Sequence, residues 1–171
     1  TVFTNFLLNA AIKGWGELEK NKEKYGYDIP FTILVDPTTA CNKKCIGCWA
    51  ADYNKALNLS FEQLDKLFTE GKELGIYFYI MTGGEPLVRK KDILRLAEKH
   101  DDCVFMIFTN GTLIDQKFCE DLCKVGNIVP TISVEGFDDA TDGRRGEGSW
   151  KDIMRAMDLM KLNKVPFGFS T

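Results

Sequence analysis

Residues 60–86 have the sequence SFEQLDKLFTEGKELGIYFYIMTGGEP, in which a helix, a strand and an unusual turn follow one another. Ser60 and Gln63 form a capping box that starts the helix, and apolar residues then recur on one helical face. Gly75 is a typical residue for the end of that helix. The short apolar run at residues 76–81 predicts a buried strand. The stretch therefore predicts one helix–strand unit that ends in a glycine-rich turn.

The same alternation continues on both sides of this unit. Strands are predicted at residues 31–35, 76–81, 103–108, 128–134 and 166–170. Helices are predicted at residues 61–74, 91–99 and 115–124, and another begins at Ser149, which caps it together with Asp152. Continuously apolar strands between helices indicate a parallel sheet covered by helices. A closed eight-stranded barrel needs about 250 residues, so this chain is predicted to form an α/β partial barrel or an open sheet.

The two ends of the chain differ in their predicted organisation. Residues 1–30 are predicted to be an N-terminal helical segment, because apolar residues show partial helical spacing there. Residues 31–171 are predicted to form one core domain. The last residues form a predicted strand, so we expect this domain to be incomplete at its C-terminus.

The composition is that of an ordinary globular protein, with 44% hydrophobic and 27% charged residues. The net charge of −3 is spread along the chain, and the absence of a basic patch gives no indication of nucleic-acid binding. No apolar run reaches the roughly 18 residues of a membrane span, and the N-terminus lacks the layout of a signal peptide. We expect a cytoplasmic protein.

Unusual local sequences follow four successive predicted strands. A cysteine-bearing loop follows the first strand, and the sequences TGGEP (82–86), TNGT (109–112) and SVEG (133–136) follow the next three. In parallel α/β folds the carboxyl ends of the strands meet at one rim, where functional groups gather. The sequence therefore predicts one site on one rim, lined by cysteines, glycine-rich turns and polar side chains.

The cysteine loop carries a CxxxCxxC pattern at residues 41–48. Iron–sulfur clusters are normally held by thiolates, and three of them leave one iron of a cubane open to another ligand. A zinc site is the second interpretation. Structural zinc usually takes four protein ligands, and the only histidine, His100, is expected at the opposite end of the sheet, which leaves Asp36 and Asp52 as the nearby acids. Loop cysteines without a metal are the third interpretation.

The other turns allow both a functional and a structural interpretation. The glycines at residues 83–84 let a backbone approach a ligand closely, and Glu85 offers an acceptor to an ammonium group, but these residues also suit a plain tight turn. The pair at residues 110–111 is a common turn sequence. Ser133 and Glu135 point the same way at a strand end, toward either a ribose or solvent.

Together, and in this order, these motifs resemble those of the radical S-adenosylmethionine (SAM) superfamily. The resemblance covers roughly residues 31–171. It implies a partial (βα)6 TIM-like barrel, of which this chain reaches only the fifth strand. It also implies an iron–sulfur enzyme that cleaves SAM reductively to methionine and a 5′-deoxyadenosyl radical, which takes hydrogen from a substrate.

The cofactors implied by the resemblance are a 4Fe–4S cluster and SAM. Cys41, Cys45 and Cys48 would ligate the cluster, and the open iron would chelate the amino and carboxylate groups of SAM. Members of the family often have an aromatic residue just before the last cysteine. Here that position is Gly47, and Trp49 is expected to stack on the adenine instead.

The resemblance also implies a set of SAM contacts: Gly83, Gly84, Glu85, Asn110, Ser133, Glu135 and Arg155. The turn at residues 83–85 would receive the amino group, and Asn110 would line the pocket. Ser133 and Glu135 would lie near the ribose or the methionyl carboxylate. Arg155 would pair with that carboxylate, because a guanidinium fork suits a carboxylate. Arg145, in a charged pair of a kind that is usually solvated, is a further potential ligand contact.

The partners and the alternatives follow from the same interpretation. The substrate is left open as a small molecule or a peptide, and an electron donor such as flavodoxin or ferredoxin is implied. One alternative is a cysteine-ligated zinc module, and another is a domain that binds the cluster and SAM without turnover. A zinc module gives the glycine-rich turn no obvious purpose.

Overall fold

In the computed structural model, which describes residues 1–50 and 57–171, the strands form one open parallel sheet. They are β1 (Thr32–Val35), β2 (Phe78–Met81), β3 (Val104–Thr109), β4 (Ile128–Ser133) and β5 (Gly168–Ser170). Their order in the sheet is β1-β2-β3-β4-β5, and each neighbouring pair is parallel. The predicted α/β fold with an unclosed sheet is therefore confirmed.

Helices connect the strands. The chain begins with α1 (Val2–Thr4), a π-helical segment (Asn5–Gly14) and α2 (Trp15–Tyr25). The later helices are α3 (Phe61–Leu74), a 3-10 turn (Pro86–Arg89), α4 (Lys90–Lys99), α5 (Gln116–Val125), α6 (Asp138–Arg145) and α7 (Ser149–Leu162). The predicted helices are present, and the predicted capping box starts α3. Helix α6 was not predicted, because its polar sequence has no apolar stripe.

The predicted cap of α7 is wrong. The N-cap residue is Gly148, and Ser149 already lies inside the helix. The carboxylate of Asp142 accepts hydrogen bonds from the backbone N–H groups of Gly148, at 2.9 Å, and Trp150, at 2.7 Å. Because α6 carries Asp142 back to the start of α7, the cap comes from a residue that local sequence patterns do not connect to this helix.

The two faces of the sheet are buried unequally. Tyr79 and Phe105 are register partners on the helix-covered face, both fully buried, and their rings pack against Phe68 of α3. On the opposite face, Leu34 is 61% exposed, and its register partner Ile80 is half-buried. The main core therefore lies between the sheet and its helices, while the opposite face is less buried.

The N-terminal helical segment lies across the amino-terminal ends of the strands. The Asn5 side chain donates hydrogen bonds to the backbone carbonyls of Asp101, at 2.6 Å, and Cys103, at 3.1 Å. The ring of Phe6 packs edge-on against Phe78 of β2, with centroids 5.6 Å apart. The division into a segment at residues 1–30 and a core at 31–171 stays a prediction. Within the described residues, no helix is long and apolar enough to cross a membrane.

Replacing Asn5 with alanine is expected to lower the free energy of unfolding by about 1–3 kcal/mol, because two backbone carbonyls lose their partner. Asn21→Ala is the matched control, since its bond to the Glu73 carbonyl is solvent-exposed and its loss should cost less than about 0.5 kcal/mol. Urea unfolding followed by circular dichroism measures both. Equal effects of the two substitutions would contradict the role given to Asn5.

Candidate functional site

One cavity opens at the carboxyl ends of the strands, as the sequence predicts. It is formed by the cysteine loop, the turns after β2 and β3, the end of β4 and the end of α6. The lining residues are Cys41, Cys45, Cys48, Trp49, Thr82, Gly83, Gly84, Glu85, Phe108, Thr109, Asn110, Ser133, Arg144 and Arg145. The cavity brings together all the predicted site residues except Glu135 and Arg155.

The first part of the cysteine loop runs alongside the turn after β2 and extends the parallel ladder. The backbone N–H of Gly84 donates to the Thr38 carbonyl at 3.0 Å, and that of Glu85 donates to the Ala40 carbonyl at 2.8 Å. Thr38 also forms an antiparallel bridge with Asn58, near the far end of the loop. The two ends of the loop therefore lie side by side, next to the turn after β2.

Arg89 of the 3-10 turn holds both ends of this loop. Its guanidinium donates to the backbone carbonyls of Pro37, at 2.8 Å, and Leu59. The same side chain is paired with Asp92 at 2.8 Å. The motifs do not single out Arg89, because its two carbonyl partners are brought together only by the folded loop.

The glycines of the turn are required by the cysteine loop itself. A Cβ on Gly84 would lie 2.2 Å from the Ala40 carbonyl oxygen and 2.5 Å from that of Thr39. Gly83 has a φ of +106°, and a Cβ there would lie 2.5 Å from the Thr38 oxygen. The sequence predicts a close approach to a ligand at this turn. The structure shows a close approach to the protein's own loop.

Glu85 connects the ends of β2 and β3. Its buried carboxylate accepts hydrogen bonds from the Asn110 N–H at 2.7 Å, the Thr109 hydroxyl at 2.7 Å and the Leu87 N–H at 3.0 Å. The last bond caps the 3-10 turn, which has proline at its first position. Burial raises the pKa of Glu85, and these hydrogen bonds oppose the rise. A carboxylate has about four lone-pair sites, and the protein itself uses three of them here.

Asn110 acts on the cysteine loop as well as lining the cavity. Its side-chain amide donates to the Asn42 side-chain oxygen at 2.9 Å and lies 4.0 Å from the Cys41 sulfur. Asn42 in turn donates to the Thr112 hydroxyl at 2.8 Å. The turn after β3 therefore holds the loop next to its first cysteine.

Glu135 lies behind the cavity wall. Its carboxylate accepts hydrogen bonds from Arg144 Nη1 at 2.6 Å and from Arg145 Nε at 3.0 Å. Partial burial opposes ionisation of Glu135, but the hydrogen bonds from both arginines outweigh it and lower the pKa. The arginines, and not the carboxylate, line the cavity. The sequence favours a solvated pair for Arg144 and Arg145, whereas the structure places both in the cavity lining. Two arginines within ten residues of a strand-end glutamate are a signal for such a cluster.

Two further predicted residues have different placements. Arg155 lies outside the cavity, and its guanidinium donates to the backbone carbonyls of Ile114, at 3.3 Å, and Thr112, at 3.2 Å. The structure therefore does not bring Arg155 together with the cysteines. Trp49 lines the cavity and is 60% exposed.

A model of the Radical SAM superfamily matches residues 35–171 of this chain. The chain belongs to the radical SAM superfamily. The Fe-coproporphyrin III synthase of Methanosarcina barkeri is 32% identical over 150 residues, which are 85% of this chain and 37% of that protein. The serine-type anaerobic sulfatase-maturating enzyme of Klebsiella aerogenes is 29% identical over 158 residues, covering 81% of this chain and 39% of that protein.

Solved structures share the fold of this chain. Native anSMEcpe with bound AdoMet and Cp18Cys peptide superposes with a TM-score of 0.68 at 24% identity, covering 81% of this chain and 42% of that one. Streptococcus suis SuiB bound to precursor peptide SuiA gives a TM-score of 0.71 at 19% identity, covering 92% and 36%. The chain spans between 35% and 51% of the length of the first curated relatives it matches.

Membership of the radical SAM superfamily implies a 4Fe–4S cluster and SAM, and three cysteines that line one cavity fit the cluster. Burial raises the pKa of the Cys41 thiol, the Lys43 N–H opposes the rise, and Glu85, Cys45 and Cys48 raise it further. The raised pKa favours the thiol form of Cys41 in the metal-free chain. The positive charge of bound iron would favour the thiolate form, because metal ligands must be deprotonated.

The potential metal ligands of the chain bear on both the iron–sulfur and the zinc interpretation. Among residues 1–50 and 57–171, no group of three or more His, Cys, Asp or Glu side chains is arranged around a single ion position. Cys41, Cys45 and Cys48 line one cavity, and thiolates are the usual ligands of an iron–sulfur cluster, so these three residues would hold it. His100 is buried and bonds Asp65 at 2.9 Å, and Asp36 has one buried carboxylate oxygen without a partner. Asp52 lies outside the described residues.

Replacing Gly84 with alanine is expected to displace the cysteine loop, at a cost of about 1–3 kcal/mol, because the new Cβ overlaps two loop carbonyls. The chain should stay folded but retain less iron and sulfide after anaerobic reconstitution. The matched control is Gly143→Ala in α6, where a Cβ meets nothing within 4 Å. Iron and sulfide content per folded chain is the measurement, and equal content in both variants would contradict the steric argument.

Proposed function

We propose that this chain is the catalytic core of a radical SAM enzyme. It binds a 4Fe–4S cluster through Cys41, Cys45 and Cys48 and cleaves SAM reductively. When bound, the cluster supplies the electron that breaks the S–C5′ bond, giving methionine and a 5′-deoxyadenosyl radical that takes a hydrogen atom from a substrate. The observation that supports the proposal is a single cavity holding three thiols, the glycine-rich turn, Ser133 and two arginines.

The cavity offers complementary groups to each end of SAM. At the amino end, the turn at residues 83–85 lines the cavity. At the carboxylate end, Arg145 uses Nε and Nη2 to hold Glu135, so its Nη1 group is not used in that pair. Ser133 lies on the same wall, and the exposed indole of Trp49 offers a surface on which an adenine can stack.

Reconstituting the chain anaerobically with iron and sulfide tests this function. We expect a reduced 4Fe–4S signal in the EPR spectrum whose shape changes on addition of SAM, and formation of 5′-deoxyadenosine with dithionite as the electron source. The Cys45→Ala variant should lose the signal and the product. Because dithionite replaces the natural donor, this measurement needs neither the substrate nor the donor protein.

The other possible outcomes identify the alternatives. Zinc retained in place of iron, with no cluster formed, would mean a zinc module. A cluster that neither responds to SAM nor forms 5′-deoxyadenosine would mean a domain that binds the cluster without turnover.

A second prediction concerns the carboxylate of SAM. Arg145→Gln is expected to weaken SAM binding by about ten- to one hundred-fold, because a hydrogen bond between charged groups contributes roughly 1.5–3 kcal/mol. Arg155→Gln should leave the affinity near that of wild type, since Arg155 faces the carbonyls of Thr112 and Ile114. Titration of SAM into the reconstituted variants measures both. A larger loss of SAM affinity in the Arg155 variant would mean that Arg155 pairs with the SAM carboxylate, as the family resemblance implies.

The partners of this enzyme belong to the same proposal. The hydrogen donor is a small molecule or a peptide, and the electron donor is a low-potential carrier such as flavodoxin or ferredoxin. We place the protein in the cytoplasm, in keeping with the lack of a membrane-spanning helix in the described part of the chain.

A further inference from the structure

The cysteine loop has a contact with α6 that the proposed function does not use. Ile46, between the second and third cysteines, donates its backbone N–H to the Arg144 carbonyl at 2.8 Å. Its own carbonyl accepts a hydrogen bond from Arg144 Nε at 3.2 Å. Ile46 is 72% exposed, so these two hydrogen bonds, and not burial, hold this part of the loop.

The same arginine is attached to the end of β4. Arg144 Nη1 donates to Glu135 Oε2 at 2.6 Å, and the Glu135 side chain is only 17% exposed. Arg144 is therefore held by its carbonyl, its Nε and its Nη1 at once. Charge-assisted hydrogen bonds of this kind are stronger than neutral ones, so Arg144 links a strand of the sheet to the middle of the cysteine motif.

This arrangement also leaves positive charge close to the cysteines. Two guanidinium groups share the single Glu135 carboxylate, and both arginines line the cavity. The hydrogen bond to Glu135 is the main cause that raises the pKa of Arg144, and the charges of Cys45 and Cys48 raise it further. The guanidinium of Arg144 is thus within electrostatic range of two proposed cluster ligands.

We propose that Arg144 is a positioning residue for the cluster, which holds the loop between Cys45 and Cys48 in its ligating conformation and raises the reduction potential of the bound cluster. This inference rests on the proposed function, because it needs a cluster at the three cysteines. Reduction adds one negative charge, and a nearby cation stabilises the reduced state more than the oxidised state. Local charge and hydrogen bonding are among the factors that set cluster potentials.

Three variants of the full chain separate the charge from the hydrogen bonds. Arg144→Gln removes both the charge and the guanidinium bonds. Arg144→Lys keeps the charge but loses the fork geometry. Arg95→Gln is the matched control, since Arg95 lies on α4, has a side chain that is 65% exposed and does not line the cavity.

The readouts are the midpoint potential from an EPR-monitored redox titration and the rate of iron loss to a chelator. For Arg144→Gln we expect the ratio of reduced to oxidised cluster at a fixed potential to fall about tenfold, which corresponds to a midpoint about 59 mV more negative. Arg144→Lys should keep a potential near that of wild type. Both Arg144 variants should lose iron faster, and Arg95→Gln should match wild type in both measurements.

Failure of this inference differs from failure of the proposed function. A wild-type cluster that responds to SAM, with unchanged potential and iron loss in Arg144→Gln, overturns the inference and leaves the function standing. If Arg144→Gln does not fold, unchanged iron loss in Arg144→Lys overturns the positioning role. If wild type binds no cluster, the function fails. Hydrogen exchange of residues 41–48 in the metal-free chain then tests whether Arg144 holds the cysteine loop. Faster exchange in Arg144→Gln than in Arg95→Gln supports the contact, and equal exchange in the two variants overturns it.

Discussion

The close contact between the glycine turn and the cysteine loop is the constraint on which the rest of the site depends. The backbone at Gly83 and Gly84 lies so near the carbonyls of residues 38–40 that no Cβ fits between them. This contact extends the sheet into the loop and fixes where the cysteines begin. It explains why the two glycines and the cysteine motif occur together, since each segment is shaped to pack against the other.

Two glutamates then join the ends of the strands into one rim. Glu85 accepts three hydrogen bonds from the turn and from the end of β3, and Glu135 holds the two arginines that follow β4. Both carboxylates bond mainly to other residues of the protein. In doing so they position Asn110, Arg144 and Arg145, which line the cavity. Buried or half-buried carboxylates are stable only when hydrogen-bonded or paired, so these contacts give the rim a defined geometry before any ligand binds.

Much of the fold was predictable because its physical causes are local. The capping box, the apolar face of α3 and the left-handed glycine after it all lie within sixteen residues, and the short apolar runs mark every strand of the sheet. Helix α6 was not predictable in this way, because it has no apolar stripe. Its position, and with it the Asp142 cap of α7 and the contact between Arg144 and Ile46, depends on hydrogen bonds between segments far apart in the sequence.

The sequence by itself determined the parallel α/β architecture, the family and the rim that carries the site, because periodicity and motif order are properties of neighbouring residues. The tertiary structure decided how the individual side chains are used. It turned the glycine pair toward the cysteine loop, placed Glu135 behind two arginines and directed Arg155 to the carbonyls of the turn after β3. The reason is physical: a side chain's role depends on which charges and backbone groups surround it, and these come from distant parts of the chain.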